Sequence, residues 1–195
     1  MDFHKVALAV VLVMPVASPV LAQSAGTEVQ RDINQETRIE QGLKSGQLST
    51  GEAAKLERGE AKIDRMESKA LKNGNLSPEE SARIQGAQNR ESETINRLKH
   101  NDVTGNPNSA SSQRMQADVQ RSINQQGRIG QGFQSGALTN KETSNLERGQ
   151  ARVGRAEARA GADGHVGAGE QARIQKKENK QSQKIFKEKH NNRMH

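Results

Sequence analysis

Apolar residues are sparse along this chain and return at helical intervals. Ile33, Ile39 and Leu43 form one set, Leu56, Ile63 and Ala70 with Met66 a second, and Ile84, Ile95 and Leu98 a third. Each set defines a narrow stripe, and the Arg, Lys, Glu and Gln residues between the stripes are good helix formers. The spacing predicts helices near Glu28 to Lys44, Thr50 to Lys72 and Pro78 to Lys99. No period-two alternation marks a strand, so the expected fold is all-α. Opposite charges recur three or four residues apart, which predicts carboxylates in salt-bridging pairs on solvated helix faces.

The breaks between stripes carry stop and start signals. In Ser45-Gly46-Gln47-Leu48-Ser49-Thr50-Gly51-Glu52, Gly46 suits a left-handed helix end, and Ser49 with Glu52 makes a capping box. The device returns with Gly74, Leu76, Ser77, Pro78 and Glu80, where proline takes the first helical position. Leu48 and Leu76 act as staples that fix the corner angles.

The whole pattern is then repeated. Val29 to Asn101 recurs without a gap as Val119 to Asn191, with close to half the positions identical, and the first corner returns as Gly136, Thr139 and Glu142. Two tandem three-helix units are therefore expected, each a helical hairpin series with Gly-x-Leu-Ser/Thr corners. The boundaries read as 23–100 for the first unit, 101–117 for a flexible linker rich in Asn, Ser and Gly, and 118–195 for the second unit with its basic tail. In the second copy Gly161 to Gly169 replaces the hydroxyl cap and proline, so that corner is expected to be the looser one. Gly59, Gly149 and Gly154 interrupt the stripes and argue against long coiled coils.

Residues 1–22 combine Lys5, an apolar run from Val6 to Val13 and the ending Val20-Leu21-Ala22, which reads as a cleaved secretory signal. The run is too short for a membrane span, which leaves no integral membrane segment after cleavage and a periplasmic or secreted address. Export changes the meaning of the net charge of +7. An acidic protein or an anionic envelope component becomes the expected partner, and nucleic acid is set aside. The absence of Trp and Tyr, with only Phe133 and Phe186 after the signal, removes the usual base-stacking platforms. With Cys 0, disulfides and thiolate chemistry are excluded as well.

Candidate chemistry is thin. The two corners of the first copy resemble the second half of an EF-hand loop, but the calcium positions would hold Gln41, Leu43 and Ser45, or Lys69, Leu71 and Asn73. His190, Met194 and His195 in the tail could offer ligands to copper or nickel, while Lys99-His100-Asn101 and Lys189-His190-Asn191 also suit helix C-terminal caps. No Ser, His and Asp constellation and no phosphate loop is present, so no enzyme and no cofactor is expected.

The string Arg-Ile-x-Gln-Gly-x-x-Ser-Gly-x-Leu-Ser/Thr-x-x-Glu, followed by Leu-Glu-Arg, Ala-Arg-Ile-Gln and Lys-His-Asn, resembles a family of small uncharacterised exported helical proteins of Gram-negative bacteria, here in duplicate. The resemblance implies export and an all-helical fold and supplies no catalytic residue. A looser likeness to small helical periplasmic stress chaperones and metal sensors points to an exported binding or adaptor protein. Its alternatives are a metal-binding envelope protein that uses the terminal His and Met residues, or a degenerate EF-hand-like calcium binder.

Overall fold

The computed structural model describes residues 20–191, with side chains from Gly26 onward. Six helices follow one another: α1 (Val20–Ser45), α2 (Thr50–Ala70), α3 (Pro78–Lys99), α4 (Ala110–Gln134), α5 (Asn140–Ala160) and α6 (Ala168–Lys189). A 3-10 turn, Leu71–Asn73, extends α2, and there is no strand among the described residues. The fold is all-α. Most of the segment read from the sequence as a signal, and Met194 and His195, lie outside the described residues.

The four tight corners share one construction. Gly46, Gly74, Gly136 and Gly164 adopt φ of 77°, 89°, 73° and 86°, the left-handed conformation that ends each preceding helix without a Cβ penalty. Two residues on, Leu48, Leu76, Leu138 or Val166 is buried. The next residue caps the following helix. Ser49, Ser77 and Thr139 accept the N–H of Glu52, Glu80 and Glu142, whose carboxylates in return take the cap N–H at 3.0 Å in each case.

The glycine-rich corner of the second copy keeps this geometry by borrowing partners. Gly167 has no side chain to cap with, but Glu170 still accepts its N–H at 2.9 Å. From α4, Ser111 Oγ accepts the Val166 N–H at 2.7 Å, and the Arg114 guanidinium donates to the Val166 carbonyl at 2.9 Å.

Several contacts recur at equivalent positions of the two copies. Arg38 donates to Ser92 Oγ at 2.6 Å, and Arg128 to Ser182 Oγ at 2.7 Å. Gln35 donates to the Gln88 carbonyl, and Gln125 to the Glu178 carbonyl. The Asn that ends each Lys-His-Asn run closes its unit, with Asn101 donating to Glu52 at 2.6 Å and Asn191 to Glu142 at 2.7 Å.

The copies do not stand apart on a tether. α2 packs antiparallel on α5, and α1 antiparallel on α4, about a pseudo-twofold axis, with α3 and α6 on the flanks. At the α2–α5 crossing a Cβ on Gly154 would lie 3.2 Å from Ala61 Cβ and 3.3 Å from the Glu57 carbonyl, so glycine permits this approach. One core cluster joins Ile39, Leu43, Leu48 and Leu56 of the first copy to Met115, Val119, Val166 and Ile174 of the second. Nor is 101–117 one linker. α4 begins at Ala110, and the short remainder is fastened by Gly105 N–H donating to the Gly46 carbonyl at 2.8 Å. Ile33 and Met66, expected in the core, are half-buried at its margin.

Candidate functional site

The charged residues are sorted by sign. On α2, Glu57, Glu60, Asp64 and Glu67 follow a three-four spacing and are all buried, while Lys55, Arg58, Lys62, Arg65 and Lys69 follow the same spacing and are exposed. α5 does likewise, with Glu147 and Glu157 inside and Arg148, Arg152 and Arg159 outside. The salt-bridging pairs expected from the sequence are therefore largely absent. Among the described residues the ion pairs are Lys44 with Glu40 at 2.6 Å and Arg121 with Glu178 at 3.4 Å. Acids and bases three or four residues apart face opposite ways, because the helices bury their acids on the face that packs.

One knot of this acidic interior lies where five helices converge. Asp32 of α1 and Asp64 and Glu67 of α2 each bring one carboxylate oxygen within 4.8 Å of the other two. Gln88 of α3 donates from Nε2 to Asp32 Oδ1 at 2.7 Å and to Glu67 Oε1 at 3.5 Å. Gln126 of α4 donates from Nε2 to Asp64 Oδ1 at 2.9 Å and to Glu147 Oε2 at 3.2 Å, which ties α5 into the group. Asp32 Oδ2, Glu67 Oε2 and Glu147 Oε1 receive no donor from another group.

Burial raises these carboxyls. Loss of hydration is the largest cause at Asp32, pushed up to about 7, and at Glu147, pushed up to about 8. Asp64 and Glu67 rise well above the usual carboxylate range from desolvation, reinforced at Asp64 by the charges of Glu147 and Asp32 and at Glu67 by those of Asp32, Glu147 and Asp64. Asp32 and Glu67 lie close enough to share a proton. The nearest guanidinium, Arg31, hydrogen-bonds Asn89 on the flank instead of entering the interior.

The axis generates a second acidic knot with different ligands. Glu57, Glu157, Glu178 and Glu36 occupy the places of Glu147, Glu67, Gln88 and Gln126, but Ser122 and Gly154 replace Asp32 and Asp64. Here Ser122 donates to Glu157 at 3.2 Å and Arg121 approaches Glu178. Each knot holds four carboxylates, but among the described residues only the first brings three of them within reach of one another, and no ion pair forms with its acids.

The bases make the complementary outer feature. A groove of about 590 Å3 between α5 and α6 is lined by Arg148 and Arg152 on one wall and by Arg173, Lys176, Lys177, Lys180 and Lys184 on the other. Along α5 the row continues through Arg155 and Arg159, where α2 adds Arg65. Desolvation lowers the Lys184 pKa, opposed by Glu188 and aided by Arg152 and Arg148, and its Nζ donates to the Asn145 carbonyl at 3.0 Å. The first copy has Gly86, Ala87 and Thr94 where α6 carries Lys176, Lys177 and Lys184, so its counterpart keeps only Arg83 and Arg90 of the second row.

The residues expected as sites serve differently. Glu52 directs Oε2 to the Ser49 N–H and hydroxyl and Oε1 to Asn101, so both oxygens at the terminal Glu of the EF-hand-like string are engaged in the corner. His190 caps α6, its Nδ1 2.8 Å from the Phe186 carbonyl and its ring stacked on Phe186 at 4.2 Å. Its intended companions, Met194 and His195, lie outside the described residues, and no cluster forms around His190 among those described. No helix among the described residues is long and apolar enough to cross a membrane. Comparison with known proteins returns no match to a family model, a curated protein or a solved structure.

Proposed function

We propose that the protein is an exported binding or adaptor protein, not an enzyme, that holds an extended acidic partner along the α5–α6 groove. The observation that carries this reading is the pair of facing cationic rows, whose own helices turn their central acids inward. Arg148 to Arg159 and Arg173 to Lys184 are each eleven residue steps apart, a rise of about 16 Å, so charges recur roughly once per turn on both walls. Such a double row matches a chain with regularly spaced carboxylates or phosphates better than a compact anion. Crowding also favours an anion here, since each bound negative charge relieves repulsion among the cations.

The reading predicts binding to poly-glutamate, followed by fluorescence anisotropy, that weakens steeply with added sodium chloride. Arg152→Gln/Lys177→Gln/Lys180→Gln should lower affinity about tenfold or more, whereas Arg58→Gln/Lys62→Gln in the first copy should change it little. Equal losses from both variants would reduce the effect to net charge and sink the groove as the site.

A further inference from the structure

We propose that the interior of the bundle is a site for one hard, oxygen-ligated divalent cation of calcium's size, held by Asp32, Asp64, Glu67 and Glu147. This goes beyond the groove reading and does not depend on it. Three of the four carboxylates already hold oxygens within 4.8 Å of one another, a span that an ion at about 2.3–2.6 Å from each ligand bridges. A smaller ion such as magnesium, with ligands at about 2.0–2.1 Å, would have to draw the widest of such spacings inward.

The independent pointer is Glu147. It is 0% exposed, comes from the other copy, shares the Gln126 amide with Asp64, and keeps Oε1 without a partner. Asp32 at 1% and Glu67 at 2% exposure likewise keep one oxygen each without an outside donor. Buried carboxylate oxygens left without donors are costly, and a cation is the group that satisfies several at once. No thiolate or imidazole takes part, which selects a hard ion over copper, nickel or zinc.

The supports are arranged as ligand holders. Gln88 and Gln126 each donate one amide to two carboxylates, fixing their orientation while leaving Asp32 Oδ2, Glu67 Oε2 and Glu147 Oε1 without a donor from outside the group. The pseudo-equivalent knot has Ser122 and Gly154 in place of Asp32 and Asp64, draws Arg121 toward Glu178, and forms no such trio of close carboxylate oxygens among the described residues. One ion per chain is therefore expected. Because the ligands come from α1, α2 and α5, the ion would fasten the first copy to the second.

The test is calorimetric titration of the chelator-stripped protein with calcium chloride, paired with far-UV circular dichroism melts, since the chain has no Trp or Tyr. The expected result is one calcium per chain and a Tm rise of about 5 °C or more at a hundred times Kd, with a weaker response to magnesium. Asp64→Asn/Glu67→Gln should abolish both effects. Glu57→Gln/Glu157→Gln, which also neutralises two buried acids but in the other knot, should retain them. If the first variant proves unfolded, Glu147→Gln takes its place, with an expected loss of affinity of about tenfold or more. Absence of heat and of any Tm shift in wild type up to about 10 mM calcium would overturn the proposal. So would a calcium response that survives in Asp64→Asn/Glu67→Gln or Glu147→Gln.

Discussion

Glu57 on α2 and Glu157 on α5 meet carboxyl to carboxyl across the interface between the two copies, both sealed from solvent. Two carboxylates at hydrogen-bond distance in a dry interior do not both carry charge, so one holds a proton that bonds the other. Burial is the main cause of the rise of Glu57 to about 7, and the contact with Glu157 partly offsets it. Replacing Glu57 with Gln keeps a donor at the contact and removes the charge that must be suppressed at high pH. Glu57→Gln should therefore stabilise the fold at pH 8 by about 1–2 kcal/mol and change little at pH 5. Chemical denaturation at the two pH values checks this, and a Gln variant that destabilises equally at both would show that the shared proton is not the relevant feature.

The same physics gives the whole molecule an acid-leaning stability profile in the absence of a bound cation. Burial pushes Glu91 and Asp118 up to about 7, with Lys62 opposing the first and Gln171 and Arg121 opposing the second. Glu178 rises to about 8 through burial and the charges of Glu157 and Asp118, against Arg121. Each folded-state value lies above the unfolded one of about 4, so the native state holds more protons across the window between them. The stability these groups contribute is complete below about 4 and is lost as pH rises through about 7 to 8. In chelating buffer Tm should fall between pH 5 and pH 8.5, and a Tm that climbs over that interval would contradict the arrangement.

The corners allow a paired test in opposite directions. Ser77→Ala removes the cap that accepts the Glu80 N–H at 3.2 Å, and should cost about 1 kcal/mol. Gly167 has φ −75° and ψ 160°, nearly the backbone of Ser77, so Gly167→Ser supplies the missing hydroxyl without strain. It should stabilise by a few tenths of a kcal/mol, about what separates Gly from Ser at such positions. Urea denaturation of both variants decides it, and a loss of stability from Gly167→Ser would mean that the corner depends on close packing around the glycine.

Much of the fold was legible because its signals are local. The glycines at 46, 74 and 136 and the boxes at Ser49, Ser77 and Thr139 set helix ends that the structure places at or next to the expected residues. The interior was not legible in the same way. Leu56, Ile63 and Ala70 skip alternate turns of the buried face, and Glu60 and Glu67 fill the gaps, so a stripe that looked narrow is a full stripe half made of acids. Charge alone cannot say which way a Glu points; the seven-residue return of Glu57 with Asp64, and of Glu60 with Glu67, was the available signal. The pairing of the copies was hidden for a related reason. Gly154 reads as a helix weakener in one dimension, and its value appears only where α2 lies against it.

Gly154 also decides which half of the molecule can pair with itself. In the first copy its place is taken by Asp64, while Ala61 and Glu57, which it meets, correspond to Ala151 and Glu147. A second copy facing its twin would again set glycine against an Ala Cβ and a carbonyl. A first copy facing its twin would set Asp64 there, with a Cβ where glycine leaves only 3.2 to 3.3 Å, and would add carboxylates to an interior already crowded with them. Yet each half needs a partner, because Leu43, Leu48 and Leu56 share one core with Met115, Val119 and Ile174. Expressed separately, residues 110–191 should dimerise, whereas residues 23–106 should stay monomeric with reduced helicity and recover it when mixed with 110–191. Sedimentation velocity and far-UV circular dichroism distinguish these states. A stable, fully helical monomer from either half would mean that the interface between copies contributes little to folding.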